Sequence, residues 1–168
     1  MKRFLFIIFI VFFVASNAIA AGSVTQGDVV RIADGTHTIT FTCTGDASDG
    51  SMPDTVITAE NLKKIVGWYL VEVHAFPTSG GTAPDAADVL IKDANSVDFL
   101  GSSDGSTAYA GKNLIHATLP RAVLPYYYLP QTGGYIPYYP IIVGSFTLSV
   151  SNQSTASANW TIVLKFVK

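Results

Sequence analysis

The chain has 168 residues, with twelve acids against ten bases, 49% hydrophobic residues and only 13% charged ones. This balance excludes a nucleic-acid partner, because neutralising phosphates takes a basic stripe and the only adjacent basic pair beyond the first three residues is Lys63-Lys64. Cys43 is the single cysteine, so no intrachain disulfide can form and packing must hold the fold.

The first predicted element is an export signal over residues 1–20. Lys2 and Arg3 form its basic start, Phe4 to Ala15 its apolar core, and Ala18-Ile19-Ala20 an A-x-A cleavage site. A retained anchor would need about 20 apolar residues. Ser16 and Asn17 interrupt the run, so cleavage before Ala21 is expected, with the membrane met only through the uncleaved signal. The protein is then periplasmic or secreted. Removing Lys2 and Arg3 leaves eight bases against twelve acids, a net charge of −4. Residues 21–168 suit one domain with one core.

Val24 to Ile32 holds too few apolar residues to show a period, and reads either as a sandwich strand or as a flexible arm. Thr36 to Thr44 alternates throughout, with five threonines on one face and His37, Ile39, Phe41 and Cys43 on the other. This period of two predicts a strand with a solvated threonine face and with Cys43 as a buried apolar residue. Gly45 to Pro53 reads as a loop, Thr55 to Thr58 as a short strand, and Asn61 to Ile65 as a turn or brief helix. Gly67 to Phe76 is a long strand carrying Trp68 and Leu70. Val89 to Lys92 and Val97 to Leu100 flank a hairpin turn at Asp93 to Ser96. Phe146 to Ser151 and Trp160 to Phe166 alternate again, and the polar residues Asn152 to Thr155 suggest a hairpin between them. Seven to nine strands without a long amphipathic helix predict an all-β fold, an antiparallel sandwich of jelly-roll or immunoglobulin-like type.

Residues 119–140 break the pattern. Pro120, Pro125, Pro130, Pro137 and Pro140 forbid a regular central strand, so an edge or a long excursion is expected. The same stretch holds Tyr126, Tyr127, Tyr128, Tyr135, Tyr138 and Tyr139, the candidate binding residues of the chain. Tyrosine offers a rigid apolar face and a hydroxyl at small entropic cost, which suits recognition surfaces and sugar stacking. The alternative is that these rings pack the excursion onto the sandwich or against a neighbouring subunit.

Other chemistry is thin. Gly101-Ser102-Ser103-Asp104-Gly105 spells G-x-S-x-G, but Ser106 to Gly111 is too rich in Gly and Ser to begin the helix a nucleophile elbow needs. Only His116 follows as a base, so no catalytic residue is assigned. Asp93, Asn95 and Asp98 lack the central Gly and distal Glu of an EF-hand calcium loop, and capping a turn is the commoner use of such residues. His37, His74 and His116 have no ligand-pair spacing. No metal or cofactor is expected. Asn152-Gln153-Ser154 and Asn159-Trp160-Thr161 are glycosylation sequons, a string short enough to arise by chance.

Trp68-Tyr69-Leu70, Gly81-Thr82-Ala83-Pro84-Asp85, Asp88-Val89-Leu90-Ile91-Lys92-Asp93-Ala94, Val97-Asp98-Phe99-Leu100-Gly101 and Gly144 to Asn152, followed by Thr161 to Leu164, together resemble a known group. They are similar to small β-sandwich proteins of tailed bacteriophages and prophages, over residues 56–168. The resemblance implies an accessory virion or surface component without catalytic residues. Its partners would be other particle or surface proteins, or further copies of itself. The reading from another class is a periplasmic or secreted carbohydrate-binding or adhesion module, with a glycan as ligand.

Overall fold

The computed structural model describes residues 21–100, 112–115, 121–129, 134–137 and 139–168. Strands β1 (Ser23–Gln26) and β2 (Val30–Arg31) precede β3 (His37–Thr44), β4 (Thr55–Val56) and the one helix among the described residues, α1 (Ala59–Ile65). Then come β5 (Tyr69–Pro77), β6 (Ala87–Asp93), β7 (Lys112–Ile115), β8 (Arg121–Val123), β9 (Tyr126–Leu129), β10 (Gly134–Pro137), β11 (Phe146–Ser151) and β12 (Asn159–Val167).

The larger sheet runs β1-β3-β12-β5-β8, with β2 also on β3, and the smaller runs β4-β11-β6-β7. Every strand pairing in both sheets is antiparallel. Setting aside β1, β2 and the separate β9–β10 pair, eight strands remain. One sheet takes the first, eighth, third and sixth of these, and the other takes the second, seventh, fourth and fifth. That order is a jelly roll. It decides between the two sandwich types, because an immunoglobulin-like domain keeps its last two strands in one sheet and here β11 and β12 part company.

Alternation in the sequence becomes alternation in burial. Ile39, Phe41 and Cys43 on β3, Trp160, Ile162, Leu164 and Phe166 on β12, and Leu70, Val73 and Ala75 on β5 are fully buried. They form one cluster with Val89 and Ile91 on β6 and with Phe146 and Leu148 on β11, so the two sheets share one core. Trp68 packs against this cluster half-buried, just before β5 begins. The opposite threonine face of β3 is only half-open, with Thr42 exposed and Thr38, Thr40 and Thr44 partly covered. Thr36 lies outside the strand and is buried, its backbone N and Oγ1 donating to Asp34 Oδ1 at 2.9 and 2.6 Å.

Several expected elements differ. The strand expected over Thr55 to Thr58 stops at Val56, because Thr58 caps α1 instead and its hydroxyl accepts from Asn61 N at 3.3 Å. Glu60 in the first turn and Lys63 and Lys64 in the last suit the helix dipole. The turn after β6 is present, with Ser96 at φ 65° and Ser96 N donating to Asp93 O, but residues 97–100 contribute only an isolated bridge between Lys92 and Asp98. The largest correction is at the C-terminus. β11 pairs with β4 and β6 while β12 pairs with β3 and β5, so residues 152–158 cross between sheets and close no hairpin. Gly50, at φ 75°, sits under this crossing, where an added Cβ would lie 2.7 Å from Ser154 C and 2.8 Å from Thr155 O. Only glycine fits there.

Candidate functional site

The tyrosine-rich segment interrupts an edge strand. β8 lies antiparallel beside β5, with Arg121 opposite Ala75 and Val123 opposite Val73. Farther down β5 the chain returns, and Tyr69 faces Ile141 in the same antiparallel sense. Leu70 N donates to Pro140 O at 3.0 Å, Ile142 N to Trp68 O at 2.9 Å and Gly67 N to Ile142 O at 2.8 Å. Five residues of β5, from 73 back to 69, thus correspond to nineteen residues of its neighbour, from 123 to 141. Fourteen residues are inserted into one edge strand.

The insertion folds as its own two-stranded ladder. Tyr126 pairs with Pro137, Tyr127 with Ile136, Tyr128 with Tyr135 and Leu129 with Gly134. β9 and β10 form a sheet separate from the other two. Five of the six candidate tyrosines therefore belong to one hairpin or its exit, and Tyr138 lies outside the described residues. Tyr139 is 42% exposed at the point where the chain rejoins the sheet. Within residues 119–140, β8 lies at the sheet edge and β9–β10 form a separate pair, while residues 119, 120, 130–133 and 138 lie outside the described residues. The described prolines sit where they cost least. Pro137 ends β10, Pro125 lies between strands, and Pro140 contributes only its carbonyl to β5.

The rejoining stretch forms an exposed apolar row that the sequence reading passed over. Tyr139, Ile141 and Val143 alternate with buried Pro140 and Ile142. Ile141 is 43% and Val143 82% exposed, and Tyr69 beside them is 39% exposed. The signal was the alternation itself, masked in the sequence by proline and by the doublet Ile141-Ile142.

The remaining candidates resolve into structural roles or fall outside the described residues. Asp93 Oδ1 accepts from Asn95 N and Val97 N at 2.8 Å each, while Asp98 Oδ1 accepts from Ile91 N at 2.9 Å and Leu100 N at 3.1 Å. Those carboxylates shape the turn after β6. Among the described residues no group of three or more His, Cys, Asp or Glu side chains is placed to hold a metal ion. His37 stacks on Trp68 with ring centroids 4.0 Å apart, and His74 Nε2 lies 2.9 Å from Glu72 Oε1 on the outer face of β5. The G-x-S-x-G string at residues 101–105 and His116 lie outside the described residues. Burial pushes the Cys43 thiol up to about 12, which keeps it protonated and unreactive. Both sequon asparagines are engaged: Asn152 Nδ2 donates to Asp88 Oδ2, while Asn159 accepts from Thr44 Oγ1 at 2.9 Å and donates to Ser157 O at 3.0 Å.

No family model, no curated protein and no solved structure matches this chain.

Proposed function

We propose that the chain is a non-catalytic, exported jelly-roll module, an accessory structural or surface-binding protein of phage or prophage particles. In this reading the sandwich is a rigid carrier and the Tyr/Pro hairpin meets the partner. The carrying observation is the fourteen-residue insertion within an edge strand, folded as a sheet of its own. An insertion that adds no strand to either main sheet is easiest to explain by what it touches outside the domain. The likeness of residues 56–168 to phage β-sandwich proteins supports the particle as the setting.

A second reading, a secreted glycan-binding or adhesion module, draws on the outer face of the larger sheet. Thr25, Thr42, Thr161 and Phe76 lie in one cross-strand row, hydroxyls ending in an exposed ring. Sugars bind to such a combination of hydrogen-bonding groups and aromatic face.

The test is to fractionate a producing culture into cells, periplasm, medium and pelleted particles, for wild type and for a variant with Tyr127, Tyr135 and Tyr138 all changed to Ala. Wild type in the particle pellet, with the variant released to the soluble fractions yet melting within a few degrees of wild type, is the expected result. Wild type confined to periplasm or medium overturns the particle reading and leads to glycan-array screening, where Thr42→Ala and Phe76→Ala should weaken any hit.

A further inference from the structure

We infer that the edge formed by residues 139–143 pairs with the same edge of a second copy of this chain. In an extended strand the backbone groups of successive residues point to opposite sides. Here Pro140 and Ile142 turn theirs toward β5, through Pro140 O to Leu70 N and through both Ile142 N and Ile142 O. Tyr139, Ile141 and Val143 consequently direct their N–H and C=O groups away from the sheet. None of the three is proline, so the outward row of donors and acceptors is complete, and the missing N–H of Pro140 faces inward where it does no harm to an added strand.

Exposed edges of this kind template strand addition, and proteins guard them with charge, proline or brevity. The other edges of this sandwich are guarded. β4 has two residues and follows Pro53 and Asp54, β7 begins with Lys112, and β1 has the polar sequence Ser-Val-Thr-Gln. Residues 139–143 carry no charge at all, and Val143 is, among the described residues, the most exposed of the large hydrophobics, at 82%.

A second copy is the occupant this edge fits. Two identical strands related by a twofold axis run antiparallel, the same sense in which this edge already meets β5. With Ile141 at the axis, Tyr139 of each copy falls opposite Val143 of the other. An uncharged row meets itself without repulsion, whereas a partner chosen by charge would find nothing to read. Five residues span about 17 Å, so main-chain bonds would dominate a small interface, and association in the micromolar range or weaker is expected. This pairing uses a different surface from the hairpin and does not depend on what the hairpin binds.

The experiment is sedimentation equilibrium of the full exported chain over micromolar to millimolar concentration, for wild type, for Ile141→Lys with Val143→Lys, and for Thr42→Lys. All three changes are at exposed positions, so each variant should keep the wild-type circular dichroism spectrum and melting temperature within a few degrees. A wild-type dimer whose dissociation constant rises at least tenfold in the double-lysine variant, and not in Thr42→Lys, supports the pairing. A wild type that stays monomeric throughout overturns it. So does a dimer that survives the double substitution, or one that Thr42→Lys disrupts equally, since the contact would then lie elsewhere.

Discussion

Both edges of the larger sheet are interrupted strands, and the two interruptions are handled in opposite ways. At the β3 edge, Gln26 faces Phe41 and Val30 faces Thr38, so five residues of the outer chain correspond to four of β3. One extra residue is absorbed and the gap is sealed. Gly27 N donates to Thr40 O at 2.8 Å, and buried Asn61 on α1 reaches across to accept from Val29 N at 3.0 Å and donate to Gly27 O at 2.8 Å. At the β5 edge the surplus is fourteen residues, and the chain leaves the sheet to fold a hairpin before it returns. A small surplus is taken up by side-chain hydrogen bonds within the domain. A large one becomes a separate element.

Both edges hang from the central β3–β12–β5 ladder, and breaking that ladder should give the largest effect. Trp160 is fully buried between Cys43 and Pro77, with Nε1 donating to Met52 Sδ at 3.2 Å. Trp160→Ala should cost about 3–5 kcal/mol through the cavity it leaves, measured by urea denaturation. Against that scale, Asn61→Ala should cost about 1–3 kcal/mol, because it leaves Val29 N and Gly27 O without their partner. Amide exchange should accelerate at residues 27–31 and remain slow along β12. If exchange rises equally across the domain, the sealed edge is not a separate unit.

Excision of residues 125–138 probes the other edge. Leu124 would then join Tyr139 in a continuous strand whose register against β5 is preserved, since fourteen residues are removed and fourteen are surplus. The shortened chain should fold with a stability change within about 1 kcal/mol, as loop length enters only logarithmically. Unfolding on excision would mean that the hairpin supports the sandwich and is no independent element.

Much of this architecture was legible in the sequence, and the reasons for the remainder are physical. The strands at Thr36 to Thr44, Phe146 to Ser151 and Trp160 to Phe166 announce themselves because a strand with one buried face writes a period of two into the chain. The period identifies a face but names no partner strand. For that reason β11 and β12 read as a hairpin although Asn152 and Ser157, at φ 57° and 55°, turn the chain from one sheet to the other. Val24 to Ile32 stayed ambiguous because its two strands are short and are held by Gln26 and Asn61, polar contacts that no hydropathy pattern records. The tyrosine-rich segment was recognisable as exceptional from its prolines. Its place within an edge strand depends on the pairing of Tyr69 with Ile141, seventy-two residues apart, which local patterns do not encode.

The smallest effect concerns the turn that carries the sealed edge from β2 into β3. Ile32 N donates to Thr36 O at 2.8 Å across this turn, and Asp34 braces it. Hydrogen bonds from the Thr36 hydroxyl, and next from the Thr36 backbone N–H, hold the Asp34 carboxyl below its ordinary value of 3.8, with a lesser contribution from Lys165. A carboxyl whose pKa falls on folding binds its proton more weakly in the folded state than in the unfolded one. The stability it adds is therefore present above pH 3.8 and is lost as the pH falls below that value toward the lowered folded pKa. Thr36→Val keeps the side-chain shape and the backbone donor but removes the hydroxyl. The Asp34 carboxyl, followed by carbon-detected NMR titration, should move up toward its ordinary value, and the acid-induced loosening of Val30 and Arg31 should weaken. An unchanged titration would mean that the backbone donor and Lys165 suffice, leaving the hydroxyl without a part in closing this edge.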